Sequence, residues 1–115
     1  MSELQLLVDG VVVKSFPLDS VAVTIGRAQG NDIVINDDAV SGEHARIDMV
    51  PDDYMDDLLN VYIEDLGSTN GTYVNDEAVQ RRQLRNLDSV RLAWTNFKFV
   101  ASKDMEITKT SVIVQ

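Results

Sequence analysis

Apolar runs of strand length recur along the chain at intervals of roughly ten residues, and turn-forming residues separate them. Leu4 to Val8 and Val11 to Phe16 flank Asp9-Gly10, a pair that adopts the positive φ values of a tight type I′ turn and so predicts a hairpin. Val21, Val23 and Ile25 alternate with Ala22 and Thr24, and Ala45, Ile47 and Met49 alternate with Arg46 and Asp48. That period of two belongs to a half-buried strand, whose side chains point alternately to core and solvent. Ile33-Val34-Ile35 is too short for a helix and is closed by Asn36-Asp37-Asp38. Further strands are expected at Val61 to Leu66, with Val61, Ile63 and Leu66 facing one way, and at Thr72 to Val74, Val90 to Trp94 and Phe97 to Val100. With no convincing helical period and no internal repeat, the chain reads as all-β, an antiparallel sandwich or barrel.

Length fits one core: 115 residues make one domain, with 44% hydrophobic and 25% charged residues, as in ordinary globular proteins. The domain is placed at 1–100 and a C-terminal tail at 101–115, where Ile107 and Val112 to Val114 regain strand character. Residues 50–60 carry four Asp and no cation, and read as a long acidic loop with a helical turn at Tyr54 to Leu59. The loop lacks the ordered oxygen ligands and central glycine of a calcium hand, so solvation is its expected role.

Ten Lys and Arg against nineteen Asp and Glu leave a formal charge of -9. Nucleic acid and anionic membrane both require a positive surface, so neither is an expected partner. Cysteine is absent and His44 is the only histidine, which removes thiolate zinc sites, cysteine nucleophiles and multi-histidine metal centres. No metal or cofactor is expected. The N-terminus lacks a basic region followed by an apolar stretch, and no apolar run approaches the ~20 residues of a membrane span, so a cytoplasmic location is expected.

The turn residues are clustered. Gly26-Arg27 closes one strand, Ser41-Gly42-Glu43-His44 precedes another, and Gly67-Ser68-Thr69-Asn70-Gly71-Thr72 follows a third. Gathered at one end of a sandwich, they would bring together a guanidinium, hydroxyls and a carboxamide. That set suits a phosphate, because arginine offers a charged fork and hydroxyls add donors. Gly26 to Gly30 is not a nucleotide P-loop, since the Gly-Lys-Ser/Thr ending is missing. Ser41 and His44 invite a nucleophile-and-base reading, but no orienting carboxylate or oxyanion hole accompanies them. Arg81, Arg82, Arg85 and Arg91 form the one basic cluster, which reads as a charged surface turn or as an extension of a binding face.

Taken together, Gly26-Arg27, Ser41-x-x-His44 and Asp65-x-x-Ser68-x-Asn70-Gly71-Thr72-x-Val74-Asn75 resemble the forkhead-associated (FHA) domain over residues 3 to 100. The resemblance implies a β-sandwich of two twisted sheets and about eleven strands, binding phosphothreonine peptides through its end loops without catalysis. It implies that Arg27 and Ser41 contact the phosphate, that Thr69 contacts the phosphothreonine through its hydroxyl or backbone, and that Asn70 hydrogen-bonds the peptide backbone. Gly26, His44 and Gly71 are implied as scaffold. The partner implied is a threonine-phosphorylated protein or peptide.

Two departures from the pattern stand out. Gly42 occupies a position that often carries a side chain reaching the ligand, which predicts weaker phosphate binding and admits an alternative, an interaction module that binds independently of phosphate. Asn75-Asp76 replaces an Asn-Gly turn, and both residues tolerate positive φ. In the tail, phosphorylation of Thr110 would set Ile113 three residues on, suggesting self-association by docking of the tail in its own or a neighbour's pocket. The overall acidity predicts that peptides with acidic flanks are disfavoured.

Overall fold

The protein is described by a computed structural model covering residues 2–55 and 57–101. The tail strand expected near Ile107 to Val114, and docking through Thr110, lie outside the described residues. Eleven strands follow in chain order: β1 (Glu3–Val8), β2 (Val11–Pro17), β3 (Ala22–Gly26), β4 (Ile33–Val34), β5 (Ala45–Pro51), β6 (Leu59–Asp65), β7 (Thr72–Val74), β8 (Glu77–Ala78), β9 (Arg81–Leu84), β10 (Ser89–Leu92) and β11 (Thr95–Val100). They form a six-stranded sheet ordered β2-β1-β11-β10-β7-β8 and a five-stranded sheet ordered β4-β3-β5-β6-β9. Every pairing is antiparallel except β3 with β4, which is parallel because the chain crosses over between Gly26 and Ile33 instead of turning back. No helix occurs among the described residues, so none is long and apolar enough to cross a membrane.

Alternation builds the core. From the five-stranded sheet Val23, Ile25, Ile47, Val61, Ile63 and Leu84 point inward, and register pairs Ile47 with both Val23 and Ile63. From the other sheet come Leu4, Val74, Val90, Leu92, Phe97 and Phe99, all 1% exposed or less. Phe97 and Phe99 are among the largest fully buried side chains, each removing on the order of 150–250 Å² from water. Register matters because a one-residue slip would turn each of these faces to solvent.

The turns follow their residue chemistry. Asp9 (φ 53°) and Gly10 (φ 79°) make the expected hairpin, and Asn75 (φ 50°) and Asp76 (φ 69°) do the same between β7 and β8. Three expectations are revised. Val21 is 77% exposed, outside the strand that starts at Ala22. The inward position after Val61 and Ile63 belongs to Asp65, not Leu66, because the period of two continues to 65. The acidic loop is shorter than expected: β5 runs to Pro51 and β6 begins at Leu59, with Pro51 paired to Leu59. Between them the expected helical turn gives way to a loop closed by Asp52, which accepts the Tyr54 and Met55 amides and the Asn60 carboxamide.

Candidate phosphopeptide-binding site

Three loops meet at one end of the sandwich: the β3–β4 loop with Arg27, the β4–β5 loop with Ser41, and the β6–β7 loop with Thr69 and Asn70. Their meeting point is the segment 39–41. Arg27 Nε donates to the Val40 carbonyl at 3.1 Å, and the Asn70 carboxamide donates to the Ala39 carbonyl at 2.7 Å. The Thr69 amide donates to Ser41 Oγ at 3.0 Å. Three consecutive residues thus receive one bond from each of the sequence-expected ligand residues or its backbone. All four residues are brought together.

The free groups follow from the bonds already made. Arg27 commits Nε and keeps its two Nη groups without a partner among the described residues. Ser41 Oγ accepts from Thr69, so its proton is left to donate outward. With its amide engaged, Thr69 retains only its hydroxyl and carbonyl for a ligand, which narrows the expectation of a hydroxyl or backbone contact. Asn70 anchors one amide hydrogen and keeps Oδ1 as an acceptor. Donors therefore face outward at Arg27 and Ser41, and an acceptor suited to a peptide N–H stands at Asn70.

His44 is fully buried and ties the loops together. Its Nδ1 accepts the Ser41 amide at 3.1 Å, which requires the tautomer protonated at Nε2, and that nitrogen meets the Gly71 carbonyl at 2.9 Å. Its side chain is thus a bridge between two loops. Both ring nitrogens are spent on backbone groups, and neither reaches the Ser41 hydroxyl as a general base would have to. Gly26 accepts no substitute: a Cβ there would overlap the Gly42 carbonyl and lie 2.8 Å from Asn31 Nδ2. Gly71 sits at φ 88°, and a side chain would press on the Tyr73 ring.

Several supporting residues carried no assigned role in the sequence. Asp65, 8% exposed, organises the β6–β7 loop: Oδ1 accepts the Ser68 hydroxyl at 2.5 Å and the Thr72 hydroxyl at 2.7 Å, and Oδ2 accepts the Gly67 and Ser68 amides at 3.0 Å. Burial opposes its ionisation, but the four hydrogen bonds outweigh burial and hold the carboxyl below its usual range. Ser68 Oγ in turn accepts the Gly71 amide at 3.0 Å. Asn31 donates to the Ala28 and Gly42 carbonyls, clamping the Arg27 loop against the Ser41 loop. Asp65 and Ser68 stood inside the recognised pattern, and a carboxylate three residues before a serine in a turn is a readable signal for such a loop. Asn31 left only a turn signal.

The basic cluster does not form one turn. Arg81 joins Arg46, Asp48 and Glu64 on the outer face of the five-stranded sheet, and Arg82 pairs with Glu77. Within that group burial works against Asp48, and hydrogen bonds from Arg46 and Arg81 bring its carboxyl below the usual range. Arg91 stands apart on β10, with its guanidinium 4.0 Å above the Tyr73 ring. It lines a cavity of about 450 Å³ on the Asn70 flank, together with Thr69, Tyr73 and an exposed Trp94.

A family model described as the FHA domain matches residues 23–93. The FHA domain-containing protein FhaB of Mycobacterium tuberculosis is 45% identical over 53 residues, which cover 46% of this chain and 30% of FhaB. A structure of Mycobacterium tuberculosis EmbR in complex with low affinity phosphopeptide superposes with a TM-score of 0.74 at 32% identity, covering 88% of this chain and 24% of EmbR. A structure from a study of phosphothreonine-dependent FHA domain interactions gives a TM-score of 0.72 at 31% identity over 88% of this chain and 96% of that one. The chain thus spans less than a third of FhaB and of the EmbR chain, and nearly all of the chain in the last structure.

Proposed function

The chain belongs to the FHA domain family, and from that premise we propose that it is a phosphothreonine-reading adaptor, a recognition module whose output passes through the protein it binds. The observation that supports this reading is the convergence of Arg27, Thr69 and Asn70 on residues 39–41, which leaves a charged fork and a hydroxyl proton free at the same loop end. Arg27 supplies the charge and Ser41 a directed donor to the phosphate oxygens. The Thr69 hydroxyl lies beside the phosphothreonine, and Asn70 Oδ1 takes a backbone N–H of the peptide. Because the loops are tied before any ligand arrives, little ordering entropy is lost on binding. Relatives support the ligand class: EmbR is seen with a phosphopeptide, and the FHA domain interactions of the second structure are phosphothreonine-dependent.

Fluorescence polarisation with matched phosphothreonine, phosphoserine and unphosphorylated peptides tests the reading, with circular dichroism as the folding control. Phosphothreonine should bind best, and Arg27→Ala should weaken binding by about 10-fold or more, as removal of a charged hydrogen bond of about 1.5–3 kcal/mol does. Equal affinity for phosphorylated and unphosphorylated peptide would refute it. Gly42 favours the second reading, a module that binds independently of phosphate, since it offers no side chain to the ligand. Partner capture that survives both Arg27→Ala and Ser41→Ala would establish that alternative.

A further inference from the structure

We propose that the cavity bordered by Asn70, Tyr73, Arg91 and Trp94 takes an anionic side chain of the bound peptide, an acidic or second phosphorylated residue; this rests on the phosphopeptide reading above. Among the described residues Arg46, Arg81 and Arg82 are each neutralised by a carboxylate, whereas Arg27, Arg85 and Arg91 are not, and Arg85 lies in the β9–β10 turn, away from the Thr69 and Asn70 loop. In a chain with nineteen acidic residues, two guanidiniums left without carboxylates at the same end of the sandwich form a pattern. One is assigned to the phosphate. The other shares a cavity with Thr69 and Asn70.

Arg91 is held ready for a ligand. Its register partner on β7 is Tyr73, whose ring carries the guanidinium plane, and Nη1 donates to the Ala93 carbonyl at 2.7 Å. Stacking fixes the plane and leaves Nε and Nη2 without protein partners, so a carboxylate or phosphate can be met by two parallel donors. The side chain is half-buried, and partial exclusion of water strengthens such a contact over one on open surface. Asp65, the one carboxylate in the cavity wall, already spends both oxygens on four donors and does not compete. Trp94, 66% exposed, supplies a flat wall against which a peptide side chain can lie. The expectation that acidic flanks are disfavoured is therefore reversed at this cavity.

The test uses phosphothreonine peptides carrying Glu, phosphoserine, Leu, Lys or Ala singly at each of the four positions on either side, titrated against the 115-residue chain. At one position Glu should bind about fivefold more tightly than Ala and phosphoserine more tightly still, with both gains shrinking at high salt. Arg91→Gln should remove those gains and leave the Ala peptide unchanged, and Arg91→Glu should transfer the preference to Lys. A Glu preference without a phosphoserine preference identifies an acidic residue as the occupant, and the converse a second phosphate. Selectivity for phosphothreonine with no anion preference, or with Leu preferred at every position, overturns the Arg91 inference alone. Absence of phosphothreonine selectivity overturns the parent reading and this one with it.

Discussion

Replacing Asp65 by Asn changes one atom of a side chain buried beneath the β6–β7 loop, and its cost can be worked from four contacts. The carboxylate accepts two hydroxyls at Oδ1 and two amides at Oδ2. An asparagine can keep its oxygen on the Gly67 and Ser68 amides, where two charge-assisted bonds become neutral at a cost of about 1 kcal/mol each. Its NH2 group then faces Ser68 and Thr72, whose hydroxyls must reverse from donors to acceptors. Ser68 Oγ already accepts the Gly71 amide, so that reversal costs roughly another 1 kcal/mol. The sum is about 3 kcal/mol, a large share of the ~5–15 kcal/mol stability of a domain.

Urea unfolding followed by tryptophan fluorescence should show the midpoint falling by about 2–3 M at unchanged slope, for a slope near 1–1.5 kcal/mol/M. A pH series isolates the charge. The folded pKa of Asp65 lies below its ordinary value of 3.8, so its ionisation stabilises the fold above that value and ceases to do so as pH falls through the lowered one. The gap between wild type and Asp65→Asn should therefore be full at neutral pH and close in acid. A gap below about 0.5 kcal/mol, or one constant from about pH 6 to pH 3, would refute the hydrogen-bond account.

Other substitutions probe the same end of the molecule. Gly26→Ala drives a methyl into the Gly42 carbonyl and should destabilise by about 2–4 kcal/mol, read as a lowered melting temperature. Gly42→Arg points into open space, its nearest neighbour being Ala28 Cβ at 3.9 Å, so stability should hold while phosphopeptide affinity rises roughly 5-fold or more in titration calorimetry. His44→Phe keeps a planar ring at the position but strands the Ser41 amide, while the Gly71 carbonyl keeps the Ala93 amide; a loss of about 1–3 kcal/mol is expected, with faster hydrogen exchange at Ser41.

Much of this architecture was legible because local rules and tertiary packing agree. Period-two alternation at Val23 and Ile25 or at Ala45 and Ile47 reports a sheet with one buried face, and Asp9-Gly10 reports its turn. The pattern from Gly26 to Asn75 located one end of the sandwich, where Arg27, Ser41, Thr69 and Asn70 are all found. What sequence could not show was the connection between loops. Asn70 meets Ala39 across 31 positions and Thr69 meets Ser41 across 28, contacts set by the stacking of two sheets and by no local spacing. Leu66 was misplaced because hydrophobicity was followed past the point where a buried carboxylate takes the inward position. Arg91 was grouped with Arg81 by proximity in the chain, yet the strands carry the two to different sheets.

His44, Asn31, Ser68 and Asp65 make the loop end a lattice in which most bonded partners are backbone groups, and those groups are the same whatever residues occupy the surface. Rigidity and selectivity are therefore written in separate alphabets. Gly42 takes part only through its backbone and the Thr69 and Trp94 side chains take no part, so all three are free to be exchanged without loosening the frame. A lineage, or a protein engineer, could change what this end of the module presents by rewriting those three positions while the frame stays as it is.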